Sequence, residues 1–190
     1  MFSRIVFVNA GHDGAVDPGA LGAMSTEAGL MMLFAEELQA ALIARAYQVL
    51  MSRSGPDASN YDLAYVCELA NNSGAGLFIS LHANSFASPS AHGFEVWTSP
   101  GPTKADLFAD LIVRNVQAFA PELTIRADKS DGDDDKEGNL YVLTHTLMPA
   151  VLIEIAFISN PQEEMWMNDP TFRARVIEAI CAAVDQFAGF

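Results

Sequence analysis

The chain has 190 residues, 51% of them apolar, which is enough to bury a single core and excludes a mainly disordered protein. Lys and Arg total 10 against 24 Asp and Glu, so the formal net charge of −14 would repel a phosphate backbone and argues against nucleic acid as a partner. No apolar stretch approaches the roughly 20 residues needed to cross a bilayer, and the N-terminus lacks a signal-peptide core, so neither a membrane span nor an export signal is expected.

In chain order, strand-like runs fall at 5–8, 49–51, 77–81, 94–97 and 151–155, several of them apolar throughout, as suits strands covered on both faces. Between them, apolar residues recurring at three and four predict helices over 27–47, 61–71, 104–119 and about 170–187. Strand and helix alternate, which places the fold in the α/β class. No repeat or linker divides the chain, so residues 1–190 are read as one domain, and a monomer is expected. The stretch 126–139 breaks the pattern with acids, glycines and lysines and reads as a solvated loop. Cys67 and Cys181 fall in helical apolar patterns and read as small buried hydrophobes.

Ligands of open α/β sheets bind beyond the carboxyl ends of the strands, and three of the apolar runs end in or contain ionisable residues. The first runs into Asn9-Ala10-Gly11-His12-Asp13-Gly14-Ala15-Val16-Asp17-Pro18-Gly19-Ala20, a glycine-rich loop able to hold the His12 imidazole over the sheet edge. The third ends Phe78-Ile79-Ser80-Leu81-His82-Ala83-Asn84-Ser85, which brings His82 to face His12 if the two strands are parallel neighbours. In the last, Val151-Leu152-Ile153-Glu154-Ile155-Ala156-Phe157, a carboxylate interrupts core residues and needs a partner or a raised pKa. Glu27 shares a helical face with Leu30, Met31, Phe34 and Leu38, and an acid on that buried stripe needs a cation.

Two imidazoles and one carboxylate make a recurrent catalytic zinc set that leaves a fourth position for water. Each residue alone also has a structural explanation: a loop histidine, an acid at a helix N-terminus, a buried ion-pair member. Four such residues at one sheet edge favour a shared one.

Together these segments resemble the zinc-dependent N-acetylmuramoyl-L-alanine amidases often called amidase 3, over nearly the whole chain. The family's first motif looks like Gly-His-Gly-Gly-x-Asp-Pro-Gly-Ala, and Gly11 to Ala20 is similar to it with one glycine replaced by Asp13 and one residue inserted. Glu27 before its amphipathic helix resembles the second zinc ligand, the segment around His82 the third, and the segment around Glu154 the one carrying the catalytic glutamate. The resemblance implies a twisted, mostly parallel six-stranded sheet between helices. It also implies Zn2+ on His12, Glu27 and His82, with Glu154 as catalytic acid/base. The implied substrate is the amide between N-acetylmuramic acid and L-alanine in peptidoglycan.

Asp13 adds a carboxylate expected to tighten contacts to an imidazole, and Asn84 either meets substrate, orients a ligand or forms a turn. His92 and His145 follow no ligand motif, although His145 precedes the Glu154 strand and is a candidate to line the groove. Asp131, Asp133 and Asp135 have EF-hand spacing, but Lys136 stands where the turn glycine belongs and Val142 where the final glutamate belongs, so no calcium loop is expected. Other readings are a catalytically silent peptidoglycan-binding or regulatory domain of the same fold, and a zinc peptidase. The latter is disfavoured because Ala15 stands where a His-x-x-Glu pair would place its acid. Without an export signal, action on the wall implies a phage or prophage lysin, or a domain of a longer exported protein.

Overall fold

A computed structural model describes residues 3–54, 62–129 and 132–189. Six strands form one sheet: β1 (Ile5–Ala10), β2 (Gln48–Met51), β3 (Leu77–Asn84), β4 (Glu95–Thr98), β5 (Lys136–Glu137) and β6 (Ala150–Phe157). Six helices accompany them: α1 (Glu27–Ala44), α2 (Leu63–Asn72), α3 (Lys104–Phe119), α4 (Tyr141–Thr144), α5 (Pro161–Asn168) and α6 (Pro170–Ala188). The strand order is β2-β1-β3-β6-β4-β5, parallel except where β4 runs against β6.

Both sheet faces are covered, which is why the central strands carry apolar residues on both sides. One face buries Val6, Val8, Ile79, Leu81 and Ile153 beneath Phe34, Leu38, Phe108, Ile112 and Ile180 of α1, α3 and α6. The other buries Phe7, Phe78 and Leu152 beneath Val66, Cys67, Ala70 and Val142 of α2 and α4. Cys67 and Cys181 are both buried and free, and burial pushes the Cys181 thiol up to about 12. Among the described residues no helix is long and apolar enough to cross a membrane.

Local chemistry sets the element ends. The Thr26 hydroxyl accepts from Gly29 N–H to open α1, which stops at Ala44 because Ala46 turns into the left-handed region (φ 61°) before β2 begins. Helix α2 opens at Leu63 under the Asp62 cap, two residues later than its pattern suggests, and Tyr61 lies outside the described residues. The stretch 126–139 is not simply a solvated loop: it supplies β5, and Asp135 within it is buried.

Helix α5 escapes a periodicity reading because two of its inward-facing residues are acids. Glu164 is 1% exposed and accepts from the N–H groups of Ala23, Met24 and Ser25 at 2.9, 2.7 and 3.0 Å, anchoring the chain that leads into α1. Replacing Glu164 with alanine removes one acceptor from three donors, and we expect a loss of about 3 kcal/mol in denaturant unfolding. A loss below about 1 kcal/mol would show that water serves those donors equally well.

Candidate metal centre

Strands β1 and β3 are parallel neighbours in register from Val6↔Leu77 to Ala10↔Leu81, so the residues leaving their carboxyl ends emerge side by side. Gly11 N–H extends the ladder to Leu81 O at 3.0 Å, and a Cβ on Gly11 would stand 2.5 Å from the His82 ring. Only glycine leaves room there for the His82 ring. His12 follows at φ 62°, a left-handed conformation costly for a non-glycine residue and of a kind that gathers at functional sites. Gly19, also left-handed, brings the returning loop so close that a Cβ would meet the His12 ring at 2.6 Å and the Glu27 carboxylate at 2.7 Å.

These turns bring three side chains together. His12 Nε2 lies 3.1 Å from Glu27 Oε2 and His82 Nδ1 lies 3.0 Å from Glu27 Oε1, with one ligand atom from each residue all within 4.8 Å of one another. A tetrahedral ion with bonds of about 2.0 Å sets its ligand atoms roughly 3.3 Å apart, so the spacing and the nitrogen and oxygen donors both fit zinc. Backbone groups hold Glu27 in place, since Ala20 N–H and Ala83 N–H donate to its two oxygens at 2.9 and 3.1 Å.

The carboxylate behind His12 is Asp17. Asp17 Oδ2 sits 2.8 Å from His12 Nδ1, which leaves Nε2 facing Glu27. Asp13 does not take the imidazole contact expected of it. Its Oδ1 accepts from Val16 and Asp17 N–H at 2.7 and 2.8 Å, shaping the loop that presents Asp17. Asn84 makes a local contact as β3 ends, its amide Oδ1 accepting from Ser85 N–H at 2.8 Å.

Glu154 pairs with His82 on β3 and with Glu95 on β4 across the sheet. It lines a depression with His12, Glu27, His82, Asn84, Trp97, Leu140 and Leu152. Its Oε2 is buried and meets no hydrogen-bond donor among the described residues, an orphan acceptor on a side chain that shares this depression with the three-residue cluster. Burial, and then the charges of Glu27 and Glu95, push its carboxyl up to about 8 against the pull of His12. Burial alone would lower His12, but hydrogen bonds to Glu27 and Asp17 outweigh it and raise the imidazole to about 9. Burial alone would raise Glu27, and the two imidazoles reverse that, holding it well below the usual carboxylate range.

Glu95 went unread in the sequence although it interrupts the apolar run 94–97 as Glu154 interrupts its own. It is 4% exposed and paired with Arg126 and with Lys136 Nζ, the latter at 3.2 Å. His145 stacks on Tyr141 with ring centroids 3.8 Å apart, and His92 Nδ1 bonds to Ser90 O, so neither joins the cluster.

Residues 6–186 match the family model described as N-acetylmuramoyl-L-alanine amidase. The chain is 30% identical over 194 residues to an uncharacterized cell wall amidase of Bacillus anthracis, covering 95% of this chain and 35% of that protein. It is 26% identical over 220 residues to the N-acetylmuramoyl-L-alanine amidase AmiA of Escherichia coli, covering 95% of this chain and 75% of AmiA. The solved catalytic domain of CwlV, an N-acetylmuramoyl-L-alanine amidase from Bacillus (Paenibacillus) polymyxa, is similar at a TM-score of 0.84 and 28% identity over 96% of this chain and 97% of that one. This chain thus spans about a third of the Bacillus anthracis relative. With the match running through β1, α1, β3 and β6, the elements that carry the cluster, the chain belongs to the N-acetylmuramoyl-L-alanine amidase family of the amidase 3 type.

Proposed function

We propose that the chain is a zinc-dependent amidase that cleaves the bond between N-acetylmuramic acid and L-alanine in peptidoglycan, in wall lysis or remodelling. The observation that carries this reading is the orphaned Glu154 carboxylate lining the same depression as three convergent donors, in a chain of the amidase family. His12, Glu27 and His82 would hold the ion. When bound there, zinc supplies a Lewis acid for the scissile carbonyl and lowers the pKa of a water to about 7.

Glu154 takes the proton from the attacking water and returns it to the departing L-alanine nitrogen, so the free amine leaves neutral. A carboxyl held near neutrality by burial is suited to both transfers. Asp17 accepts from His12 Nδ1 and so leaves Nε2, on the Glu27 side of the ring, as the atom that would meet the ion. Trp97, Leu140 and Leu152 give the lactyl and alanyl methyl groups an apolar wall, and Asn84 contributes a polar contact beside them. A silent binding domain would have no use for an unpartnered buried acid at this position.

The deciding experiment digests purified peptidoglycan with and without a chelator. New alanine amino groups that vanish on chelation are expected, whereas new reducing sugars, or amino groups unaffected by chelation, would overturn the reading. A second expectation concerns Asp17, which is largely exposed and so separable from folding. Asp17→Asn should weaken zinc binding about 10- to 100-fold, measured by competition with a chromophoric chelator. Unchanged affinity would remove Asp17 from the site.

A further inference from the structure

Arg53 follows β2 at the carboxyl edge of the sheet, where β1 and β3 release His12 and His82, and it is 4% exposed. A guanidinium stays charged throughout the working pH range, so one that is buried must find acceptors for its N–H groups. Strand pairing does not need this side chain, since Val8 pairs with Met51 and Ser52 N–H donates to Val8 O at 3.0 Å. Arg53 instead reaches past the last ladder pair. Its Nε donates to Ala10 O at 3.2 Å, and its Nη2 donates to Gly11 O at 3.3 Å and to Ala28 O at 2.8 Å.

All three acceptors lie beside candidate ligands. Gly11 directly precedes His12, Ala28 directly follows Glu27, and Ala10, Gly11 and Ala28 are buried. The peptide joining Ala10 to Gly11 is held from both sides, its C=O by Arg53 and its N–H by Leu81 O of β3 at 3.0 Å. The next peptide, which leads into His12, is held through Gly11 O. From that plane His12 turns off at φ 62°, a left-handed conformation that persists only where its surroundings fix it. The same guanidinium also grips the first turn of α1 through Ala28 O.

We infer that Arg53 is a positioning residue for the metal centre, setting the backbone of the His12 loop against the first turn of α1 so that His12 and Glu27 meet around one ion. This role rests on the zinc reading proposed above. It differs from that of Asp17, which contacts the His12 ring, because Arg53 acts on the main chain beneath two ligands at once. A planar guanidinium donates in several fixed directions, whereas a lysine ammonium donates from a single point and cannot span the three carbonyls.

Zinc affinity, by competition with a chromophoric chelator, and the visible spectrum of the cobalt-loaded chain test this role. Arg53→Lys keeps the charge and should bind zinc about 10- to 100-fold more weakly, the range for groups that orient ligands. Arg53→Met, which removes the donors altogether, should bind more weakly still. Both should alter the cobalt spectrum, which reports the geometry of the donor set. Ile180→Ala, in the α6 core, is the control. It should lower the unfolding midpoint at least as far as Arg53→Lys and yet keep the parent's affinity and spectrum. If Arg53→Met does not fold, Arg53→Lys carries both readouts. Parent-like affinity and spectrum in Arg53→Lys would overturn the role, and so would an equal loss of affinity in Ile180→Ala, the mark of general destabilisation. A parent chain that takes up neither metal overturns the zinc reading itself and this role with it.

Discussion

Glu154→Gln should retain zinc and lose turnover, with kcat falling about 10²- to 10⁴-fold, the range contributed by a positioned general acid/base. Glutamine keeps the shape and cannot accept a proton. Glutamine also takes away the carboxylate charge that burial, Glu27 and Glu95 disfavour at this position, so the folded chain should not weaken. Zinc content by atomic absorption and kcat on a muramyl peptide check the two halves separately. Zinc bound with full activity would reject Glu154 as the acid/base.

His82→Ala should have the opposite signature. It removes a donor rather than a proton carrier, so zinc affinity should fall by more than the roughly 100-fold ascribed to outer contacts, and activity should drop with metal content. Metal uptake should also expel protons. His12 is raised from 6.5 to about 9, so it is charged at neutral pH in the metal-free chain and must lose its proton to become a ligand. The sign follows from the direction of that shift. Its ion pairs stabilise the metal-free chain fully below about 6.5, and that stabilisation fades as pH rises through about 9. Zinc affinity should therefore climb with pH across the same interval. Calorimetry in two buffers of different ionisation enthalpy reads the released proton directly, and a heat independent of buffer would refute it.

The architecture is legible in the sequence where patterning and physics agree. The apolar strands β1, β3 and β6 can only be buried on both faces, and an acid on the Leu30, Met31, Phe34 stripe of α1 must find cations inside the fold. The parallel pairing of β1 with β3 then makes the meeting of His12 and His82 a geometric consequence. What periodicity cannot convey is where β4 inserts, because an antiparallel neighbour for β6 is decided by tertiary pairing and not by any local pattern. Helix α5 is missed because Glu163 and Glu164 point inward to cap backbone donors, reversing the usual sense of an acidic residue. The same reversal hides Glu95 and Asp135, whose surroundings come from a segment that composition alone assigns to solvent. Asp17 rather than Asp13 backs His12 because the tight loop brings the later residue round to the ring, a matter of loop geometry that spacing does not determine.

The backbone donors behind Glu27, the carboxylate behind His12 and the glycine beneath His82 are all supplied by the polypeptide itself. Such a pocket is preorganised, so loading it should proceed with little refolding and without the all-or-none coupling of small zinc-nucleated domains. Far-ultraviolet circular dichroism should then be nearly the same before and after metal is added, and activity should be restored as fast as the ion can diffuse in.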